Sequence, residues 1–322
     1  SFNNPYGACP TCMGIGYLMK IEVLGSSAGG GLPQFNCNCD NCKGYREGKT
    51  TIKRRTQSSI TISEDGENWV LFNTSPDILE QIHNSPFLQP VARRETKIKA
   101  IIFIDAQIDH TTGLLMLREG CPHQVYCTKE VHEELNTSFP LFKMLEHWDG
   151  GGVIYNEIAF NKQPFFIPVM PNCEFYAVPL ISNAPPYSKY RDRPRVGDNI
   201  GVVVLNKKTG KRLFYLPGLG VLEKHIIEEM AQADILLVDG TVWTNDEMIK
   251  NGFSSKLGTD MGHLPLSDKG GLIELLDTLE KPRKILIHIN NTNPILDESN
   301  PEYKELISHG IEISYDGMSI EI

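Results

Sequence analysis

The amino-acid sequence predicts an α/β protein whose sheet strands are covered by helices. Short apolar runs of strand length alternate with helical stretches along the 322 residues. Many runs, such as VVVL at 202–205 and ILLVD at 235–239, are apolar without interruption, as strands are when both faces are buried. Several of them finish on Asp, His or Asn, which would gather polar groups along one edge of a sheet, where α/β proteins collect their functional sites.

Taken in order, KIEVLGS (20–26), SSITIS (58–63), NWVLFNT (68–74) and KAIIFID (99–105) are rich in β-branched and aromatic residues and are expected as strands. The same criteria predict strands at 124–128, 173–180, 200–206, 212–217, 235–240, 284–290 and 311–317. Helices are expected near 77–83, 112–118, 128–136, 222–231, 271–280 and 300–308, several of them opening after a capping Asp, Ser or Thr. The least regular stretch is SNAPPYSKYRDRPRVGDN, 182–199, either a lid or binding loop or a solvated excursion.

At 36.1 kDa the chain can bury a large core, as one big α/β domain or two smaller ones. Its net charge of -9 argues against a general nucleic-acid binder, which needs a clustered basic surface. No run approaches the roughly 20 apolar residues that cross a bilayer, and no segment has the layout of a secretory signal. A small-molecule or protein partner in the cytoplasm is therefore expected. Of 8 cysteines, those near the N-terminus fall into two tight clusters with metal-ligand spacing, which favours thiolate metal sites over disulfides.

Cys37, Cys39 and Cys42 form C-x-C-x2-C. Three thiols so close cannot easily pair with one another, but they can occupy three corners of a tetrahedron around a structural Zn2+, with a fourth ligand from elsewhere in the chain. Cys9 and Cys12 form a C-x2-C-x-G-x-G knuckle, half a zinc site by itself. The string FNNPYGACPTC resembles a piece of the UvrA zinc module, and the knuckle alone resembles a DnaJ repeat. Residues 1–18 are accordingly expected to be an appended leader outside the fold, and 19–322 the functional domain.

From Met19 onward the chain resembles the PqqB family of pyrroloquinoline quinone (PQQ) biosynthesis. The strings that carry the likeness include VLGSSAGGGLPQFNCNCDNCKGYR, DAQIDHTTGLL, LREGCPHQVYCT, LLVDGT, MGHLP, HINNTNPILD and YDGMSIEI. The fold this implies is the metallo-β-lactamase-like αββα four-layer sandwich. A more distant resemblance is to the phosphodiesterase PhnP, which shares the cysteine cluster and the chain ending. Against the H-x-H-x-D-H motif of such hydrolases, IIFIDAQIDHTTG (101–113) carries Asp105 and Gln107 in place of the two leading histidines. Asn183 stands near the third-motif histidine and Pro217 near the bridging aspartate.

Asp109, His110 and His288 remain. Two imidazoles and one carboxylate suit mononuclear non-haem Fe2+, or another divalent metal, with open positions for oxygen and substrate. Asp109 would otherwise cap a helix beginning near Thr111. His288 has a rival role as the fourth ligand of the cysteine zinc, although the zinc histidine of the PhnP arrangement lies three residues later, where this chain has Asn291. His263, in a polar loop, is expected as a proton shuttle, a group supporting a ligand from behind, a further ligand or a solvated residue. Asp239 and Asp105 would hold ligand imidazoles by their second nitrogens, or cap local turns, and Asp239 is also a candidate ligand itself. Arg191, Arg193 and Arg195, with Tyr187 and Tyr190, would read substrate carboxylates, unless they only solvate their loop.

The resemblance implies an enzyme that hydroxylates the tyrosine ring of a Glu-Tyr-derived precursor, using iron and O2. Its partners would be that small or peptide-derived precursor and other proteins of the pathway, with neither nucleic acid nor membrane. A carrier for the quinone or its precursor with a degenerate metal site, and a hydrolase of the same fold, are the alternatives.

Overall fold

The computed structural model describes residues 18–160 and 163–322; Cys9 and Cys12 lie outside them. Among the described residues the first sheet is built from β1 (Lys20–Gly25), β2 (Ser59–Ser63), β3 (Trp69–Phe72), β4 (Ile98–Ile102), β5 (His123–Cys127) and β6 (Val153–Glu157), which lie side by side in chain order. The second holds β7 (Cys173–Pro179), β8 (Ile200–Asn206), β9 (Arg212–Leu216), β10 (Ile235–Asp239), β11 (Arg283–Ile287) and β12 (Ile311–Ile313), again in order. The last strand, β13 (Ser319–Glu321), returns to the first sheet and pairs antiparallel with β1.

The two sheets face each other across one apolar layer. Ile21, Ile62, Phe72 and Ile102 meet Val202, Val204, Tyr215, Leu237 and Ile287 there. Helices cover the outer faces. On the first sheet these are α2 (Ile78–His83), α4 (Lys129–Glu134) and α5 (Leu141–Leu145), whose Ile78, Val131 and Leu141 pack on Leu71, Ile101 and Val125. On the second, α6 (Lys224–Gln232), α8 (Leu272–Asp277) and α9 (Pro301–Ser308) bury Ile226, Leu272 and Leu306 against Val203, Leu236 and Leu286. Three short helices, α1 (Asp40–Arg46), α3 (Ile108–Thr111) and α7 (Glu247–Lys250), lie in the connections. The architecture is the expected four-layer αββα sandwich.

Alternate residues of the buried strands face the neighbouring sheet or the helices, so both faces must be apolar, which explains the uninterrupted runs. The strands 3 to 6 and 9 to 12 are parallel within each sheet, and their carboxyl ends bring Asn73, Asp105, Asp239 and His288 to one edge. No described helix is long and apolar enough to cross a membrane.

Several elements differ from expectation. The stretch 112–118 belongs to a 3-10 run, Thr112–Gly120, behind the single α-turn of α3. The predicted strand 311–317 stops at Ile313, because Gly317 adopts φ 88° and Asp316 turns inward to accept hydrogen bonds from the Ser26 and Thr56 backbone N–H groups.

Candidate metal centre and substrate cavity

The strand end of β4 and the turn after it supply the first two groups. Asp105 accepts the Gln107 backbone N–H at 2.9 Å, which closes the turn, and its two carboxylate oxygens lie 2.8 and 2.9 Å from His110 Nδ1. It therefore caps and holds the imidazole at once. With Nδ1 donating to Asp105, His110 turns Nε2 inward, and this buried atom has no hydrogen-bond partner. Asp109 is in the first turn of α3 but caps nothing; the N-cap is Gln107. Its carboxylate lies 3.7 Å from His110 Nε2. Gly29 makes room for it, since a Cβ there would stand 3.1 Å from Asp109 Oδ2.

His288 arrives from the other sheet. It sits at φ 59°, a left-handed conformation that costs a non-glycine residue about 1–3 kcal/mol and persists only where the surroundings enforce it. They do so here: the following residue is pinned by Ile289 N to Ser26 O at 3.0 Å and Ala28 N to Ile289 O at 2.9 Å. The conformation sends His288 Nε2 to 3.6 Å from Asp109 Oδ2. Its Nδ1 lies 3.0 Å from Thr241 Oγ1, whose hydroxyl donates to Asp239 Oδ1 at 2.6 Å. Asp239 thus orients His288 through Thr241.

His263 is held directly, with Nδ1 2.6 Å from Asp239 Oδ2, and its ring stacks on His288 with centroids 5.2 Å apart and planes inclined by 23°. The Asp239 oxygens are filled by Thr241, His263 and the backbone N–H groups of Leu219 and Thr241. Asp239 is thus the outer partner of two imidazoles, and with His263 and His288 it also forms a group whose ligand atoms lie within 4.8 Å of one another.

These contacts set the charges. Burial would raise the Asp109 carboxyl, but the His110 and His288 imidazoles hold it well below the usual carboxylate range. Burial would lower His110; Asp105 and then Asp109 outweigh it, and the imidazole is pushed up to about 9. Burial likewise opposes His263, which Asp239 raises above the ordinary imidazole value. Ligand atoms of Asp109, His110 and His288 lie within 4.8 Å of one another. Both imidazoles have the outer nitrogen fixed and the inner one turned to the carboxylate, the arrangement of a bound divalent cation. The donor set fits one metal ion. Asp105 and Gln107 stand where the paired-ion hydrolases carry two imidazoles, and the second group of ligand atoms within 4.8 Å, Asp239, His263 and His288, shares His288 with the first.

The cysteine cluster lies nearby. Cys39 caps α1, which places Cys42 in its first turn, and the sulfurs of Cys37, Cys39 and Cys42 fall within 4.8 Å of one another. Asn291 Nδ2 stands 3.1, 3.5 and 3.3 Å from the three. Amide nitrogen and oxygen are interchangeable by a flip, so the same side chain can present Oδ1 to a cation at the fourth corner. Burial pushes the Cys39 thiol up to about 12, so a cation is needed to make thiolates there. The cluster fits Zn2+.

A cavity of about 450 Å³ opens above the Asp109 cluster, lined by His110, His263, His288, Arg191, Asn199 and Lys256 among others. Of the loop residues expected at the substrate, only Arg191 lines it. Arg195 is a correction: its guanidinium binds Asp198, Glu133 and the buried Glu134, strapping the loop to α4. Tyr187 donates its hydroxyl to the Ala106 carbonyl, and Tyr190 lies under Arg195 at 3.6 Å. Arg193 is on the same loop and outside the cavity wall. Thr241, Gly29 and Lys256 were missed by sequence reasoning. Thr241 follows the strand-end Asp239 closely enough to have been a candidate, whereas Lys256 carries no local signal.

Residues 68–289 match the beta-lactamase superfamily domain. A Pseudomonas protegens protein named coenzyme PQQ synthesis protein B is 55% identical over 305 residues, 94% of this chain and 100% of that protein. Its namesake from Pseudomonas fluorescens is also 55% identical, with the same coverage. Among solved structures, Zn2+-bound PqqB from Methylobacterium extorquens superposes with a TM-score of 0.85 at 32% identity, over 94% of this chain and 100% of that one. A diphosphatase of the PhnP family superposes with a TM-score of 0.66 at 19% identity, over 95% and 97% of the two chains, a likeness of fold.

Proposed function

The chain belongs to the coenzyme PQQ synthesis protein B family, within the beta-lactamase superfamily, and on that premise we propose that it serves PQQ biosynthesis as an iron- and O2-dependent hydroxylase of a tyrosine-derived phenol. The observation that carries this reading is the convergence of Asp109, His110 Nε2 and His288 Nε2 on one metal position at the floor of an open cavity. Hydrolases of this fold use paired ions to hold and activate water. A single two-His, one-carboxylate position with open sides suits oxygen chemistry instead.

Fe2+ held by Asp109, His110 and His288 would supply the one-electron steps that let O2 react with a ring carbon. The chain's own residues do the rest. Arg191 offers a carboxylate of the substrate a planar fork from the cavity wall. His263, its Nδ1 committed to Asp239, presents Nε2 to the cavity as the group that takes or returns a proton. Asp105 and the Thr241–Asp239 pair keep the ligand imidazoles in the required tautomer. Overall, one atom of O2 replaces a ring hydrogen and the other leaves as water, consuming two electrons and two protons from a reductant outside the chain.

The test is anaerobic loading with Fe2+, followed by oxygen electrode measurements with a tyrosine-containing substrate. One iron per chain beside one zinc, lost in His110→Ala, and substrate-dependent oxygen uptake are expected. A chain that takes no iron, or keeps it in the variant, overturns the assignment. Substrate binding without oxygen uptake would point to a carrier.

A further inference from the structure

Two Lys or Arg side chains line the cavity, Arg191 and Lys256, and they come from different walls. Arg191 is on the 182–199 loop, and Lys256 on the connection after α7. The two walls meet at the cavity itself, where Gly262, at φ 87°, comes so close to Ser182 that a Cβ would stand 2.7 Å from its Oγ. Each wall is tied down independently. Arg195 straps the first to Glu133 and Glu134 of α4, and Asn245 holds the second by accepting the Gly258 and Thr259 backbone N–H groups at 2.8 and 3.0 Å.

Among the described residues neither cavity cation is paired with a carboxylate. Arg191 gives one N–H to the Ala184 carbonyl at 2.6 Å, and Lys256 is engaged through its backbone N–H on Ser254 Oγ. This is no shortage of counter-charge, since the chain carries 40 acidic residues against 31 basic ones, and Arg195, four positions on, binds several carboxylates. Two cations left open on one cavity face an anion that is not part of the protein.

We infer that Lys256 is a second anion-binding group of the substrate site, and that the site selects an organic dianion with one carboxylate on Arg191 and another on Lys256. The inference rests on the cavity being the substrate site, as in the function proposed above, but on neither iron nor oxygen. The two cations differ in kind. Arg191 is half-buried and carries a rigid fork, so it fixes orientation; Lys256 is exposed on a flexible stem, so it adds attraction that salt screens. Its removal costs roughly fivefold in affinity, the scale of an exposed ion pair.

The experiment titrates glutamyl-tyrosine, glutaminyl-tyrosine and glutamyl-tyrosine amide into the zinc-loaded full chain, followed by ligand-observed NMR at low salt. The three share a phenol and differ in which carboxylate is present. Wild type should bind the diacid more tightly than either mono-amide. Lys256→Met should lose roughly fivefold for the diacid, no affinity for one of the mono-amides, and recover in Lys256→Arg. Lys256 is exposed, so the substitution does not endanger folding. Equal binding of all three ligands by wild type, no binding of the diacid, or unchanged affinity in Lys256→Met overturns the inference. The function proposed above fails separately: cation-dependent binding without iron uptake would sink the oxygenase and leave the dianion site standing.

Discussion

The two clusters of metal-ligating residues share one piece of backbone and are built for opposite tasks. His288 of the open cluster and Asn291 of the cysteine cluster are three positions apart on the segment that follows β11. Around the cysteines every donor turns inward. Cys42 and Asn291 are buried, and Asn41 clamps the segment by donating to the Asn291 and Asn293 carbonyls at 2.9 and 2.8 Å. Around His288 the donors occupy one side of the metal position and a cavity occupies the other. A closed site contributes its binding energy to folding, whereas an open one keeps corners for reactants. The difference teaches that one segment serves both: Ser26 and Ala28 hold the strained His288 through Ile289, and the closed site holds the segment three positions further on.

The largest effect should come from breaking the closed site. Cys42→Ser removes a fully buried ligand, so zinc should be lost together with a few kcal/mol of stability, or roughly 10 °C in melting temperature at about 2–4 °C per kcal/mol for a chain of this size. Because the segment 288–293 loses its anchor, metal uptake at Asp109 and His110 should weaken too. The reverse does not hold: His110→Ala should empty the open site and leave zinc in place. Metal analysis and calorimetry on both variants check the asymmetry, and zinc loss in His110→Ala would break the comparison.

The joint between the sites can be probed by pH. Glu247, buried on α7, accepts the Thr292 hydroxyl and the Trp243 backbone N–H, and burial pushes its carboxyl from 4.5 up to about 7. Over that window the folded chain keeps a proton that the unfolded chain has released. Stability therefore falls as pH rises from about 4.5 to 7, and above it the buried carboxylate costs the whole difference, on the order of 3 kcal/mol. Glu247→Gln removes the slope: its stability relative to wild type should climb between pH 5 and pH 8 in urea unfolding, with metal content unchanged. A constant difference across that range would show that Glu247 does not titrate there.

How much of this was legible depended on where the determining contacts lie. Uninterrupted runs such as ILLVD (235–239) announced buried strands, because both of their faces are covered. The edge strand β6 was missed, since VIYNE is half exposed and has no apolar run, and so was α1, whose DNCKGYR carries glycine and polar residues in a helix anchored by its ligands. In the site, Asp109, His110 and His288 stood out as the remnant of a longer motif. Arg195 looked the same as Arg191 in sequence, and only the carboxylates of Glu133, Glu134 and Asp198, which bind Arg195 alone, separate them. Thr241 and Lys256 acquire their places from chain folding alone.

The smallest effect sharpens the closed site. Asn291 reaches the three sulfurs through an atom bonded to its Cγ, and His carries Nδ1 at the same remove from the backbone. Asn291→His can therefore put an imidazole nitrogen where the amide now lies, and imidazole is a stronger zinc donor than an amide oxygen. The ring's remaining atoms must fit beside a residue that is only 3% exposed, which offsets part of the gain, so stability should move by less than about 1 kcal/mol. Zinc release should respond more clearly. Transfer of zinc to a chromogenic chelator should be slower in the variant than in wild type, while metal at Asp109, His110 and His288 exchanges at an unchanged rate. Faster release of zinc would mean that Asn291 does not stand at the fourth corner, and that the closed site is completed by another group.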